Sequence, residues 1–270
     1  MAERQRKLRP LSGLSIAISI SESENLAEHG LTHADVSLVT VELCRRLIAL
    51  GAAVNLGHQW RPGGIMEAVA QFARTYQDDL SEPIIRNYLV FPEHAGLSDD
   101  DRRQLSRVVR IHEGAEMRPS NGSETRSAAL TEMRRQLVNA SSCSIALSGR
   151  LRASKLSQSE DFIPGLVEET VLMLTQMRPK PVFLSRIMGG VAARLVDILE
   201  TGRIDLGLSV KPSTRLAFHL DQIANFGSRK LADVCRLSNK QLQELFAAQN
   251  LDTVVRLTSL GLQVVSQSRK

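Results

Sequence analysis

At 270 residues with 43% hydrophobic content, the chain is long enough to bury one sizeable core, as one large domain or as one domain with an appendage. Much of its formal charge of +5 sits in Arg4, Arg6, Lys7, Arg9, Arg269 and Lys270, which read as solvated tails. Aromatics make up 4% of the chain, too few for base-stacking platforms, so nucleic acid is not an expected partner.

Residues 1–12 read as a basic, disordered tail. Gly13 to Ile20 (GLSIAISI) reads as the first strand, bounded by Gly13 and the polar run Ser21-Glu22-Ser23-Glu24. Thr32 to Leu50 is strongly helical: Val36, Val39, Leu43, Leu47 and Leu50 recur at three- and four-residue steps until Gly51 stops the pattern. AAVNLG is the second strand, ending at Gly57, and it runs through HQWRPGG into a helix that begins near Ile65. His58, Arg61, Gly63 and Gly64 therefore crowd one strand-to-helix junction. Glycines there let a ligand approach the backbone and leave first-turn N–H groups facing an anion; a plain tight turn uses the same pair. NYLVFP (Asn87 to Pro92) is the third strand, followed by a polar loop with a short helix and the strand-like VVRIHEG.

Ala129 to Asp197 is the most informative stretch. A helix with Met133 and Leu137 one turn apart on its buried side leads into the apolar run CSIALSG, a buried strand ending in Gly149. After a polar insertion, Pro164-Gly165 starts a second helix with Glu168 and Glu169 in its first turn. KPVFLSRIMGG is another strand, closed by Ser185, Arg186, Gly189 and Gly190, and a further helix follows it. Two strands with a helix between them make a βαβ unit whose strand tips form a crevice where ligands of open parallel sheets bind. Strands alternating with helices predict an α/β, Rossmann-like, doubly wound and mainly parallel sheet with helices on both faces. That domain spans 13–205. Residues 206–270 form a mainly helical extension that packs on the sheet or on a second subunit, with Ser238 capping a helix from Gln241 to Ala248 and Asn250 ending it.

Several side chains at these tips suit a phosphorylated ligand. Arg150 can fork onto a phosphate, with Arg61 and Arg186 at the neighbouring tips, although each also fits as a surface arginine. Glu168 or Glu169 can accept ribose hydroxyls, and an acid in a first helical turn is equally favoured by the helix dipole. Because the two are adjacent, at most one faces the crevice. Ser19, Ser21 and Glu22 form a third polar lip. His58 is the most reactive-looking group, yet no carboxylate or nucleophile is placed for it by the sequence, so it contacts ligand or packs.

Cys44, Cys143 and Cys235 are odd in number and widely spaced, without a Cys-x-x-Cys pair or histidines at metal-ligand spacing. They read as small buried residues in a reducing compartment, and neither a metal nor a cofactor is expected. The N-terminal charges are not followed by a signal-peptide apolar core, and the longest apolar runs fall short of a membrane span. A cytoplasmic protein without membrane insertion is the expectation.

The ordered set LGHQWRPGGIMEAVA, MRRQL, SIALSGR, PGLVEET and KPVFLSRIMGG resembles the SLOG superfamily, a Rossmann-like group that includes DprA, the LOG enzymes and TRPM-channel sensor domains. The likeness covers Gly13 to Thr201, and the chain is similar to the bacterial nucleotide-sensing SLOG domains that accompany sirtuin-like or TIR proteins in antiphage defence. LOG enzymes are phosphoribohydrolases that cut the N-glycosidic bond of nucleoside monophosphates. Their glycine-rich first loop is matched by Gly57, Gly63 and Gly64, and their helical arginine by Arg134 or Arg135. Their proline-glycine-glycine signature with its glutamate is matched loosely by Gly149, Arg150, Pro164, Gly165, Glu168 and Glu169. The insertion LRASKLSQSED opens out that signature, which counts against hydrolysis and leaves binding intact. The sensor branch implies an NAD-derived or ADP-ribose-like nucleotide as the small-molecule partner, a homo-oligomer, and an effector protein of TIR, sirtuin-like or membrane type. Two functions follow: a nucleotide-binding sensor, or a hydrolase using Arg134 or Arg135 with Glu168 or Glu169.

Overall fold

A parallel strand is covered on both faces, so its interior is apolar throughout rather than alternating. In the computed structural model of the chain Ile16, Ala17 and Ile18 are all buried, as are Val54 and Leu56, Cys143 to Ala146, and Val182 to Leu184. The structure describes residues 9–57, 64–79, 83–90, 98–113, 123–151, 163–207 and 212–267. The fold is α/β and Rossmann-like, with parallel strands alternating with helices and further helices after the last strand. The predicted His58, Arg61 and Gly63 lie outside the described residues, as does most of the insertion after Arg150.

The chain forms two compact units, one of Met1–Ile18 with Ser37–Ser142 and one of Ser19–Val36 with Cys143–Lys270. The first unit holds β1 (Ser15–Ser19), whose last residue belongs to the second unit, with β2 (Ala53–Leu56), β3 (Ile85–Leu89) and β4 (Val109–Glu113). Their order is β4-β3-β2-β1, all parallel, with Ser15 beside Ala53, Val54 beside Ile85 and Ile85 beside Val109. The helices α1 (His33–Ala49), α2 (Ile65–Ala73), α3 (Asp99–Leu105) and α4 (Ser123–Ala140) alternate with them. Helix α1 buries Val36, Thr40, Leu43, Cys44, Leu47 and Ile48, while Val39 and Leu50 are only half-buried, so its inner face is turned slightly from the predicted one. Strand β3 lies two residues before the predicted Asn87 to Pro92. Arg86 disguises its start: this half-buried arginine breaks the apolar run and donates from Nη1 to Ser15 Oγ at 2.7 Å.

The second unit holds β5 (Cys143–Ala146), α5 (Gly165–Leu174), β6 (Val182–Leu184) and α6 (Gly190–Thr201), followed by α7 (Thr214–Cys235), α8 (Asn239–Phe246) and α9 (Leu251–Gln267). Strands β5 and β6 are parallel, with Ser144 beside Val182. Helix α7 starts at the cap Ser213, whose hydroxyl accepts from Leu216 N at 3.2 Å, and its backbone leaves helical geometry in a kink at Gly227 (φ 69°, ψ 164°). Ser238 caps α8 in a reciprocal capping box with Gln241. Asn250 does not end that helix, which stops at Phe246; its Oδ1 accepts from Thr253 N at 2.9 Å and opens α9. All three cysteines are free and buried, and burial pushes the thiols of Cys44 and Cys235 up to about 12. Among the described residues no helix is long and apolar enough to cross a membrane.

The C-terminal helices pack on β6. Cys235 of α7 donates its thiol to the Val182 carbonyl at 3.4 Å, and Gly261 of α9 sits where a Cβ would lie closer than 3.0 Å to the Cys235 carbonyl and 3.2 Å from the Phe183 ring. Replacing a helical glycine with alanine ordinarily stabilises by about 1 kcal/mol. Here the obstacle is a backbone carbonyl that cannot rotate away, and overpacking costs about 1–3 kcal/mol. We therefore expect Gly261→Ala to lower the melting temperature by more than Gly202→Asn, which meets no neighbour and strains only a left-handed helix end. A melting temperature raised by G261A would show that α9 does not press on this point.

Candidate functional site

The chain leaves β1 at Ser19 and crosses a polar lip before α1. Ser23 is buried while Glu22 and Glu24 are exposed, an alternation that puts the two carboxylates on one side of the lip and the small hydroxyl on the other. Ser19 donates its hydroxyl to Glu169 Oε2. Glu22 Oε2 lies 3.8 Å from Arg150 Nη2 and 3.3 Å from His33 Nδ1. Glu24 Oε2 accepts the Leu151 N–H at 2.9 Å. Asn25 Oδ1 accepts from Ser23 Oγ and from the Gly190 N–H, both at 3.0 Å. One short segment thus reaches the tips of β1, β5 and β6 and the start of α5.

Gly190 explains how these tips come so close. Its φ is 63°, a left-handed conformation, and a Cβ there would lie closer than 3.0 Å to the Gly149 carbonyl, the Gly149 nitrogen and Ser23. With no side chain in the way, Val191 N donates to the Gly149 carbonyl at 3.0 Å and Ser148 Oγ donates to the Met188 carbonyl at 3.4 Å. Gly189 is similarly pressed by His29 and Asn25. The first amides of α6 are consequently satisfied inside the protein: Gly190 N–H by Asn25, Val191 N–H by Gly149. Gly189 and Gly190 serve backbone packing here, and the donors that meet the lip carboxylates are the Arg150 guanidinium, half exposed at 53%, and the Leu151 N–H.

The two adjacent glutamates of α5 have different fates. Pro164, buried at the helix start, accepts from Val167 N at 2.9 Å and from Glu168 N at 3.3 Å, and Gly165 begins the helix beside it. Glu168 is 3% exposed and pairs with Arg215 Nη2 of α7 at 3.1 Å. Glu169, half-buried, is the one at the tip, with Ser19. Ser185 is fully buried and its hydroxyl accepts from Ile187 N at 3.3 Å, while Ser21 is half-buried on the lip. Arg186 does not offer its fork to the crevice. Its guanidinium binds Asp197 at 2.7 Å and Glu200 on α6, and its N–H donates to the Phe246 carbonyl at 3.1 Å. Burial works against its charge, but the hydrogen bonds to Glu200 and Asp197 outweigh that and hold its pKa above the ordinary arginine value.

In the first unit, Gly57 ends β2 under Met133 and Leu137 of α4, where an added Cβ would make ordinary contacts of 3.6 and 3.8 Å. Gly64 precedes α2 in extended backbone. On α4, Arg135 is exposed and lies 3.7 Å from Glu132, and Arg134 is half-buried. The adjacent strands β3 and β4 stack Tyr88 on His112 with ring centroids 4.5 Å apart and planes at 7°. Burial first, then the Arg110 and Arg86 charges, lower the His112 pKa.

The structure thus brings Ser19, Glu22, Gly149, Arg150, Glu169, Gly189 and Gly190 together in the second unit. It adds Ser23, Glu24, Asn25 and the Leu151 amide, which sequence reasoning left out. Their signal was the unbroken polar run Ser21 to Asn25 directly after an apolar strand. Arg215 gave no local signal, being 47 residues from its partner.

Parallel strands alternating with helices, with polar side chains and close-packed glycines at the tips, define a Rossmann-like domain of the nucleotide-handling type. The chain belongs to the SLOG cluster2 family, whose model matches residues 10–206. Membership of that family points to a nucleotide-related function. No curated protein matches the chain.

The Glu168–Arg215 pair has a structural consequence that separates it from Glu169. Truncating Arg215→Ala leaves a buried carboxylate without this partner, and such a loss costs about 1–3 kcal/mol. Arg215→Ala is expected to lower the melting temperature clearly, with Arg215→Lys recovering part of the loss. Equal melting temperatures for all three proteins would show that the pair carries no stability.

Proposed function

We propose that the strand tips of the second unit bind a nucleotide derivative of the NAD or ADP-ribose type, and that the chain acts as a sensor of it. The observation that carries this reading is the meeting of Arg150, the Leu151 N–H and the Ser19–Glu169 pair around the Gly149–Gly190 contact. A guanidinium beside a backbone amide suits phosphate oxygens, because charge-assisted donors in fixed geometry are the stronger hydrogen bonds. A carboxylate beside a serine hydroxyl suits the vicinal hydroxyls of a ribose. The alternative, hydrolysis of the N-glycosidic bond of a nucleoside monophosphate, has less support: Glu168, one of the two glutamates it would draw on, is committed to Arg215.

In this reading the C-terminal helices pass occupancy on to a second copy of the chain or to an effector protein of TIR, sirtuin-like or membrane type, in bacterial antiphage or stress signalling. The Arg186–Phe246 backbone hydrogen bond, joining the β6 tip to α8, supports such a route.

The test is calorimetric titration and thermal melting with ADP-ribose, NAD and AMP, with chromatography for released base. Ligand at a hundredfold excess over Kd is expected to add about 2.7 kcal/mol to apparent stability, with no base released. Arg150→Ala should weaken binding about tenfold without changing the ligand-free melting temperature. Base release at a steady rate would replace the sensor by the hydrolase. An Arg150→Ala protein with the parent's Kd would remove Arg150 from the site.

A further inference from the structure

We infer that Glu22 and Glu24 form a built-in anionic latch: their carboxylates occupy the donors that a diphosphate would use, and ligand binds by displacing them. This rests on the nucleotide reading above and deepens it by naming how the site is closed and which ligand chemistry opens it.

Two neighbouring donors at the end of β5, the Arg150 guanidinium and the Leu151 N–H, each meet a carboxylate oxygen from the same lip, at 3.8 and 2.9 Å. Both carboxylates belong to exposed residues on one side of the lip, whereas the residue between them, Ser23, is buried. Ser23 and Asn25 anchor the lip through Asn25 Oδ1, which holds the Gly190 N–H and the Ser23 hydroxyl at 3.0 Å each. The lip is thus fixed on its inner side and carries its charges on its outer side. Release does not strand Glu22, since His33 Nδ1 already lies 3.3 Å from the same oxygen. Two linked anions are replaced most directly by a ligand that also brings two linked anions. A pyrophosphate bridge does so; a nucleoside without phosphate does not.

Exposed ion pairs of this kind are weak, so the latch lowers affinity by a modest factor rather than shutting the site. Removing both carboxylates in Glu22→Ala/Glu24→Ala is expected to tighten ADP-ribose binding about fivefold in calorimetric titration. Glu28→Ala removes an exposed charge from the turn that follows and is expected to leave Kd unchanged. In an Arg150→Ala background the gain from Glu22→Ala should vanish. A second readout needs no ligand: the Leu151 amide should exchange hydrogen faster in Glu24→Ala than in the parent.

Each outcome has one meaning. ADP-ribose binding that is equal in parent and double variant, or an equal gain in Glu28→Ala, overturns the latch and leaves the nucleotide reading standing. An unchanged Leu151 exchange rate overturns it regardless of ligand. Failure of both parent and double variant to bind ADP-ribose or AMP sinks the nucleotide reading, and the latch with it.

Discussion

The tip of the second unit is governed by a contact between backbones. Where β5 ends and α6 begins, the Gly149 carbonyl accepts the Val191 N–H at 3.0 Å, and Gly190 turns between them with no room for a side chain. A helix begins with N–H groups that lack intrahelical partners, and a buried one must find an acceptor elsewhere. Asn25 and Gly149 supply those acceptors, so α6 is closed by the protein itself. Next along the chain from this contact come Arg150 and Leu151, whose guanidinium and N–H meet the carboxylates of Glu22 and Glu24.

Much of this fold is legible in the sequence because a parallel strand buried on both faces has a distinctive, unbroken apolar signature. The runs around Ile16, Val54, Ile145 and Phe183 all became strands. Where the elements differ from the expected ones, single residues took roles that their local pattern does not mark. Arg86 looks like the end of an apolar run and is instead inside β3, its charge led out to Ser15, 71 residues away. Asn250 can end one helix or open the next; its Oδ1 takes the Thr253 N–H, and it opens α9. The site was legible to the same degree. Glycines and an arginine at strand ends are visible as local pattern, whereas the acceptors that Asn25 and Glu24 provide depend on which loop comes to lie beside which tip.

Glu168 and Glu169 show how one residue of register separates structure from chemistry. Adjacent helical positions point about 100° apart. Glu168 faces α7, where 3% exposure would be costly for a lone carboxylate and the Arg215 guanidinium provides the compensating charge. That pair ties α5 to α7. Glu169 faces the β1 tip and a serine hydroxyl, a partner that can exchange one hydrogen bond for another at small cost. The same amino acid, one step along the helix, is thus committed in the first position and adaptable in the second.

A sensor requires a difference between two states that its ligand can bias, since a ligand with equal affinity for both shifts nothing. The second unit contains the parts for such a difference. The lip is held at its inner side by Asn25 and carries weak outer contacts at Glu22 and Glu24, so its outer edge is the least costly thing in the tip to move. The β6 tip is the opposite: Arg186 is locked by two carboxylates of α6 and by the Phe246 carbonyl of α8, and Gly261 sets α9 hard against β6 and α7. A tightly packed scaffold beside a loosely held lip converts a small displacement into a change of contacts rather than a diffuse relaxation, because close-packed interiors deform little. On the sensing reading the signal therefore originates in the lip, whose contacts a ligand can replace, and the C-terminal helices serve as the rigid frame against which that replacement is registered.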